Sequence, residues 1–203
     1  MSVVPGLEGD AIRFNRGRVS AWAVRNFSAD REMTVVAWVR CLPEVGARRI
    51  IGRENGGTLV ALQVTAGGQP RFELRSTVGN YIMNATGTTR IDDGEWHLVA
   101  GVTRKRYNGF GSDTRGLSYF LWIDGELDAQ GYMTPGIFGA TPNFGMTTDV
   151  VLGQGARGDL AFTGDIQTAA VAEGAANNAL LRQMWSERPA ASGGTTGWGI
   201  VLS

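Results

Sequence analysis

The chain is nearly without three side chains on which protein chemistry often depends. Among its 203 residues stand one cysteine, Cys41, one histidine, His97, and one lysine, Lys105. A lone cysteine closes no intramolecular disulfide, so stability must come from packing, and nothing marks an oxidising compartment. Cys41 ends an apolar run and is expected to fill space in the core rather than act as a nucleophile. One histidine and one cysteine exclude a transition-metal cage of the usual nitrogen and sulfur kind. A Ser-His-Asp mechanism would have to use His97, and no Gly-x-Ser-x-Gly elbow presents a serine to it. A structural role is expected for His97, with one ring nitrogen bonded to backbone or to a neighbouring loop.

An excess of charge is lacking as well. Nineteen basic and nineteen acidic residues cancel, which argues against an electrostatic nucleic-acid binder. No apolar run approaches the roughly 20 residues of a membrane-spanning helix. The N-terminus has neither the basic flank nor the apolar stretch of a signal peptide. The expectation is a soluble protein used without export, with no nucleic-acid partner and no membrane insertion.

What is abundant is glycine, thirty residues, set between short apolar runs of strand length. That is the pattern of a sandwich or barrel rather than of βαβ units. It predicts strands over residues 11–14, 19–24, 33–41, 49–53, 58–65, 71–76, 81–85, 95–104, 117–124, 150–153 and 160–171. Asn55-Gly56-Gly57, Gly67-Gly68 and Asp124-Gly125 read as tight hairpins, because consecutive positive φ values are cheap only for Gly, Asn and Asp. One helix is expected over 178–185, capped by Asn177, with Leu180, Leu181, Met184 and Trp185 on one face docking at the sandwich edge. Residues 1–190 therefore form one domain. Residues 191–203 form a C-terminal arm that turns apolar at Trp198, Ile200 and Leu202. The loop 129–149 carries Tyr132, Phe138 and Phe144 among glycines and prolines, and side chains of that kind on a long loop must cover something. They are expected, with the arm, to anchor a protein contact.

Two segments carry a family likeness. Asp92-Asp93-Gly94-Glu95-Trp96-His97-Leu98-Val99-Ala100 precedes a strand that ends at Trp122-Ile123-Asp124-Gly125. Around them stand Ala11-Ile12-Arg13-Phe14, then Thr34-Val35-Val36-Ala37-Trp38-Val39, and finally Val151-Leu152-Gly153 and Gly164-Asp165-Ile166 before the helix. In this order they resemble the strands of laminin-G-like domains of the concanavalin A-like jelly-roll superfamily, over residues 9 to 186. The resemblance implies an all-β fold, a two-sheet antiparallel β-sandwich with one short C-terminal helix. It leaves function open, since this fold hosts lectins, glycosidases, adhesion modules and virion proteins.

Glycosidases of this jelly roll carry a Glu-x-Asp-x-(x)-Glu run, and a retaining mechanism needs two carboxyl groups about 5.5 Å apart. No such run is present; Asp92, Asp93 and Glu95 sit in a Gly-containing turn. The resemblance associates calcium with an aspartate in the closing strand, where this chain has Gln167, with Asp165 on the other face of that strand. Catalytic residues, cofactor and metal site residues are therefore assigned to none, with calcium left as the open alternative. Strand alternation leaves Trp38, Phe120 and Trp122 as an aromatic platform on which a glycan could stack, although no hydroxyl-reading polar set is evident beside it. Two functional expectations follow. The first is a non-enzymatic assembly module resembling decoration, cement or fibre-associated proteins of tailed bacteriophages, located in the virion and contacting other virion proteins or its own copies. The second is a carbohydrate-binding lectin module attaching to cell-surface glycans, extracellular or at the cell surface.

Overall fold

A computed structural model describes residues 2–5, 10–21, 32–77, 80–106, 116–133, 144, 148–155 and 158–187. The described elements, in chain order, are β1 (Ser2–Pro5), β2 (Asp10–Asn15), β3 (Val19–Ala21), β4 (Met33–Arg40), β5 (Arg48–Asn55), β6 (Thr58–Val64), β7 (Pro70–Ser76), β8 (Tyr81–Thr86), β9 (Trp96–Arg106), β10 (Gly116–Ile123), β11 (Glu126–Met133), β12 (Val150–Leu152), β13 (Thr163–Glu173) and α1 (Asn178–Ser186). They form two antiparallel sheets. Seven strands run in the order β1-β2-β13-β4-β9-β10-β11, and six in the order β3-β12-β5-β6-β7-β8. This is the two-sheet sandwich the sequence implied.

The core lies between the sheets, and alternation puts it there. Val35, Ala37 and Val39 of β4 and Leu121 and Ile123 of β10 meet Val60, Leu62 and Val64 of β6 and Phe72 and Leu74 of β7. Gly101 of β9 makes one of these contacts possible. A Cβ at that position would stand 2.4 Å from Cδ2 of Phe72, so the missing side chain is the space the Phe72 ring occupies. Cys41 belongs to the same core, and burial pushes its thiol up to about 11. It is therefore a packed thiol rather than a thiolate.

Asp124 and Gly125 have φ of 54° and 81° and join β10 to β11 with Ile123 opposite Glu126, the left-handed pair a two-residue hairpin needs. That turn registers a strand the sequence reading had placed in a loop. Residues 129–133 continue β11, pairing Leu117 with Met133 and Ser118 with Tyr132. Gln130 and Gly131 are poor strand formers, and the ladder overrides their propensity. The short edge strand β1 was likewise not anticipated. The expected strand 19–24 is described as far as Ala21.

The helix forms where expected: Asn177 caps it by accepting the Leu180 backbone N–H at 2.7 Å. Its location differs from the expectation. Instead of an edge it covers the outer face of the seven-stranded sheet, where Val36, Trp38, Leu98, Ala100, Val102 and Trp122 from three adjacent strands form a second apolar cluster closed by Leu181. An edge offers far less apolar area than this row, and burial scales with area. Leu181, Met184 and Trp185 make the docking stripe, at i, i+3 and i+4, while Leu180 on its flank stays exposed.

Candidate functional site

The aromatic platform expected from the sequence is the floor on which α1 rests. Trp38 is 8% exposed, and its ring stacks on Trp185 with centroids 5.4 Å apart and planes 20° apart. Trp122 is buried, and Phe120 is half-buried with the Arg104 guanidinium 5.4 Å above it. A sugar cannot stack on rings that a helix already covers, so this platform is withdrawn. Of the expected contact anchors, Tyr132 projects from the edge strand β11 and is 69% exposed. Phe144 is 1% exposed and packs in the chain's own core, which removes it from any candidate interface. Phe138, Trp198, Ile200, Leu202 and the whole arm 191–203 lie outside the described residues.

The opposite outer face is chemically different. In β7 the residues alternate Arg71, Phe72, Glu73, Leu74, Arg75, with Phe72 and Leu74 inward. Register sets Arg75 beside Leu59, Glu73 beside Ala61 and Arg71 beside Gln63 of β6. It sets Arg49 of β5 on the far side of Gln63, Gly52 beside Ala61 and Glu54 beside Leu59. On the other flank Thr86, Asn84 and Ile82 of β8 continue the three rows. The result is a polar layer over small residues at Gly52 and Ala61, in which Arg49 and Gln63 are buried and Glu54, Glu73 and Arg75 are partly exposed. A Cβ on Gly52 would come within 2.8 Å of the Arg49 side chain, which lies across it.

These side chains hold one another. Gln63 Nε2 donates to Glu73 Oε2. Arg75 Nε lies 3.2 Å from Glu73 Oε1, Arg75 Nη2 lies 3.9 Å from Glu54 Oε1, and Arg49 Nη1 lies 3.6 Å from Glu54 Oε2. Arg71 Nε donates to Thr86 Oγ1 at 3.0 Å. The longer pairs are charge contacts rather than hydrogen bonds, and Nε of both Arg49 and Arg75 is buried without a hydrogen-bond partner. Sequence reasoning missed this set because it followed the aromatic alternation. Its signal was the polar half of the same alternation, at 71, 73 and 75.

His97 does more than the single bond expected of it. Nδ1 lies 2.8 Å from Asp124 Oδ2 and Nε2 lies 3.1 Å from Asp93 Oδ1, while Asp124 Oδ1 also accepts the Leu98 N–H. Burial alone would lower the imidazole pKa. The hydrogen bond and charge of Asp124, then those of Asp93, outweigh it and hold the pKa above its ordinary 6.5. The Asp93 carboxyl is lowered from 3.8: burial opposes the shift, and the Glu95 N–H and His97 overcome it. The raised histidine contributes stability that is complete below about pH 6.5 and is lost as pH climbs through its folded pKa; the lowered aspartate contributes stability that is lost on acidification below about pH 4. Stability from this clamp should therefore plateau between those limits. Thermal melts from about pH 6 to pH 9 are expected to fall for the native chain and to be flat for His97→Gln, and parallel slopes would refute the assignment.

The carboxylate Asp165 is already committed. Its oxygens accept Nε and Nη2 of both Arg13 and Arg40 at 2.7–3.1 Å. The calcium that the resemblance associates with this strand does not fit, since Gln167 is neutral and Asp165 faces two guanidiniums. Among the described residues no three His, Cys, Asp or Glu side chains are grouped to hold a metal ion, and no helix is long and apolar enough to cross a membrane.

The fold has known counterparts. Residues 15–179 match the laminin G 3 profile of the concanavalin A-like lectin/glucanases superfamily, and the chain belongs to that family. Among curated proteins no match was found. The binding domain of Paraclostridial Mosquitocidal Protein 1 is similar at TM-score 0.63 and 11% identity, covering 91% of this chain and 45% of that one. Mouse laminin alpha1 chain domains LG4-5 give TM-score 0.60 and 16% identity, covering 84% and 44%. The chain thus spans less than half of either. The CBM40 of Ruminococcus gnavus IT-sialidase, bound to alpha2,3 sialyllactose, gives TM-score 0.51 and 16% identity, covering 83% and 98%. At these identities the likeness is one of fold.

Proposed function

We propose that this chain is a glycan-binding module and that the outer face of the six-stranded sheet is where it binds. The observation that carries the reading is the set Glu54, Glu73, Arg75 and Asn84, brought together from three strands and backed by the buried Arg49 and Gln63. Sugar hydroxyls donate and accept at once, and they are read by planar polar groups whose positions are fixed in advance. The network supplies carboxylate acceptors, amide groups and guanidinium donors, held in place by one another. The carbohydrate-bound CBM40 of the same fold supports the reading as an analogy.

As a binding module it is expected to leave a bound polysaccharide intact. The assembly reading, with virion proteins or other copies as partners, retains only Tyr132 among its described anchors, and no further observation favours it.

The test is a glycan array followed by calorimetry on the glycans retained. Glu73→Gln and Arg75→Gln are expected to weaken binding by about tenfold or more with little change in melting temperature, because hydrogen bonds to charged groups contribute about 1.5–3 kcal/mol. An array without a single retained glycan, with self-association by light scattering that Tyr132→Ala abolishes, would move the conclusion to an assembly module.

A further inference from the structure

The end of the sandwich where β4 passes into β5 carries an apolar tip. In the loop 41–47 Leu42 is 67% exposed and Val45 99%, with the exposed Pro43 between them. The loop that presents them is braced from beneath. Buried Arg48 donates from Nη1 to the Leu42 carbonyl at 2.8 Å, and the Gly94 N–H donates to the Cys41 carbonyl at 3.0 Å. Gly46, with φ at 95°, turns the chain back after Val45, a conformation that glycine adopts without strain. A single exposed apolar side chain is ordinary, but a braced pair on a projecting turn marks a contact surface.

Three ion pairs around this tip stand the same way round. Arg13 pairs with Asp165 at 2.8 Å, Arg16 with Glu44 at 2.9 Å and Arg90 with Asp92 at 3.0 Å. In each the arginine is more than half exposed, while Asp165 and Asp92 are sealed beneath it and Glu44 is a quarter exposed. Formal charge cancels within the pairs, yet the part that reaches solvent is cationic. All three pairs adjoin the tip: Arg13 lines one cleft with Leu42 and Pro43, Glu44 stands between Pro43 and Val45, and Asp92 lies 3.8 Å from the Arg48 that holds Leu42. Nη1 of these arginines takes part in none of the three pairs, and its N–H groups suit a phosphate oxygen. Two exposed carboxylates share this end, Asp93 and Glu95, and Asp93 is bound to His97.

The shape of the tip decides between partners. A protein would need a pocket matched to Leu42 and Val45, whereas a lipid headgroup layer yields to a short apolar side chain wherever it arrives. Its phosphates then meet the guanidiniums that ring the tip, and anionic headgroups add an attraction over the whole end. Docking of this kind is peripheral and needs no spanning segment.

We infer that this end of the sandwich docks on an anionic phospholipid surface, with Leu42 and Val45 entering the headgroup layer and Arg13, Arg16 and Arg90 on the phosphates. The inference does not rest on the glycan face proposed above, which uses none of these residues.

Co-sedimentation of the intact chain with vesicles tests it, using phosphatidylcholine alone and equal parts of phosphatidylcholine and phosphatidylserine. Partition onto the mixed vesicles is expected to be at least about tenfold stronger, since each arginine near an anionic surface contributes about fivefold, and to weaken as salt is added. Leu42→Ser/Val45→Ser removes apolar surface without adding charge and should lower that partition about tenfold with the melting temperature retained, both side chains being exposed. Arg13→Gln/Arg16→Gln should lower it by a similar factor on mixed vesicles and leave phosphatidylcholine unchanged; Asp165 keeps Arg40 in that variant. Val45→Cys carrying a nitrobenzoxadiazole label reads entry directly, because the native thiol of Cys41 is buried and stays unlabelled, and its emission should shift to the blue on mixed vesicles. Four results overturn the inference: no partition onto mixed vesicles, equal partition onto the two compositions, full partition of Leu42→Ser/Val45→Ser, or a label at position 45 whose emission does not move.

Discussion

Trp38→Ala is expected to cost about 3–5 kcal/mol, the range for emptying a buried aromatic site in a packed interior. For a domain of this size that lowers the melting temperature by roughly 10 °C. The loss reaches beyond the cavity itself. Trp38 is the surface on which Trp185 stacks, and the helix α1 has nine residues, too few to persist in water without its docking face. Helical ellipticity and the near-ultraviolet tryptophan signal should therefore fall together in the variant, before global unfolding. Binding to any glycan held by the six-stranded sheet should survive, because the two faces lie on opposite sides of the core. An unchanged melt with glycan binding abolished would reinstate the aromatic platform and displace the polar face. Trp96 gives a smaller effect, since it is only half-buried and its ring is shared with Arg40.

The second large effect comes from adding one carbon. Gly101→Ala places a Cβ at 2.4 Å from the Phe72 ring, which is fully buried between the sheets and has nowhere to go. Overpacking of this kind costs about 3 kcal/mol or somewhat more when backbone must shift to relieve it. The contact is specific, so a double-mutant cycle isolates it: in a Phe72→Leu background the added methyl should cost much less than in the native chain. Equal costs in the two backgrounds would mean that the strain lies in the backbone of β9 and not in the pairing of glycine with an aromatic ring.

Legibility followed the distance over which information had to travel. The hairpin at Asp124-Gly125, the turn at Asp93-Gly94 and the cap at Asn177 depend on a few neighbouring residues, and their chemistry is written locally. The inward faces of β4 and β10 were equally plain, because period-2 alternation states them within one strand. Strand β11 was missed because Gln130 and Gly131 have little preference for a strand and are held by their partners in β10. The docking place of α1 was missed because its stripe shows which side is apolar and not which surface receives it. The polar face demanded most: Arg49, Gln63, Glu73 and Arg75 are 14, 10 and 2 residues apart in turn, and only the registers of β5, β6 and β7 make them neighbours. A one-residue slip in any of those registers would send the set to the core, so no reading of a single strand could assemble it.

The imidazole clamp turns the chain's poverty in histidine into an instrument. Since His97 is the sole imidazole, its ring protons supply one isolated set of resonances in a proton NMR spectrum, with no labelling and no assignment required. Asp124, which grips Nδ1, belongs to the same turn as Gly125, and Gly125 lies against Arg182 and Trp185 of the helix. Seating or release of that helix must therefore pass through the turn to the ring, and the spectrum of a single residue can be followed as a gauge of the whole outer layer.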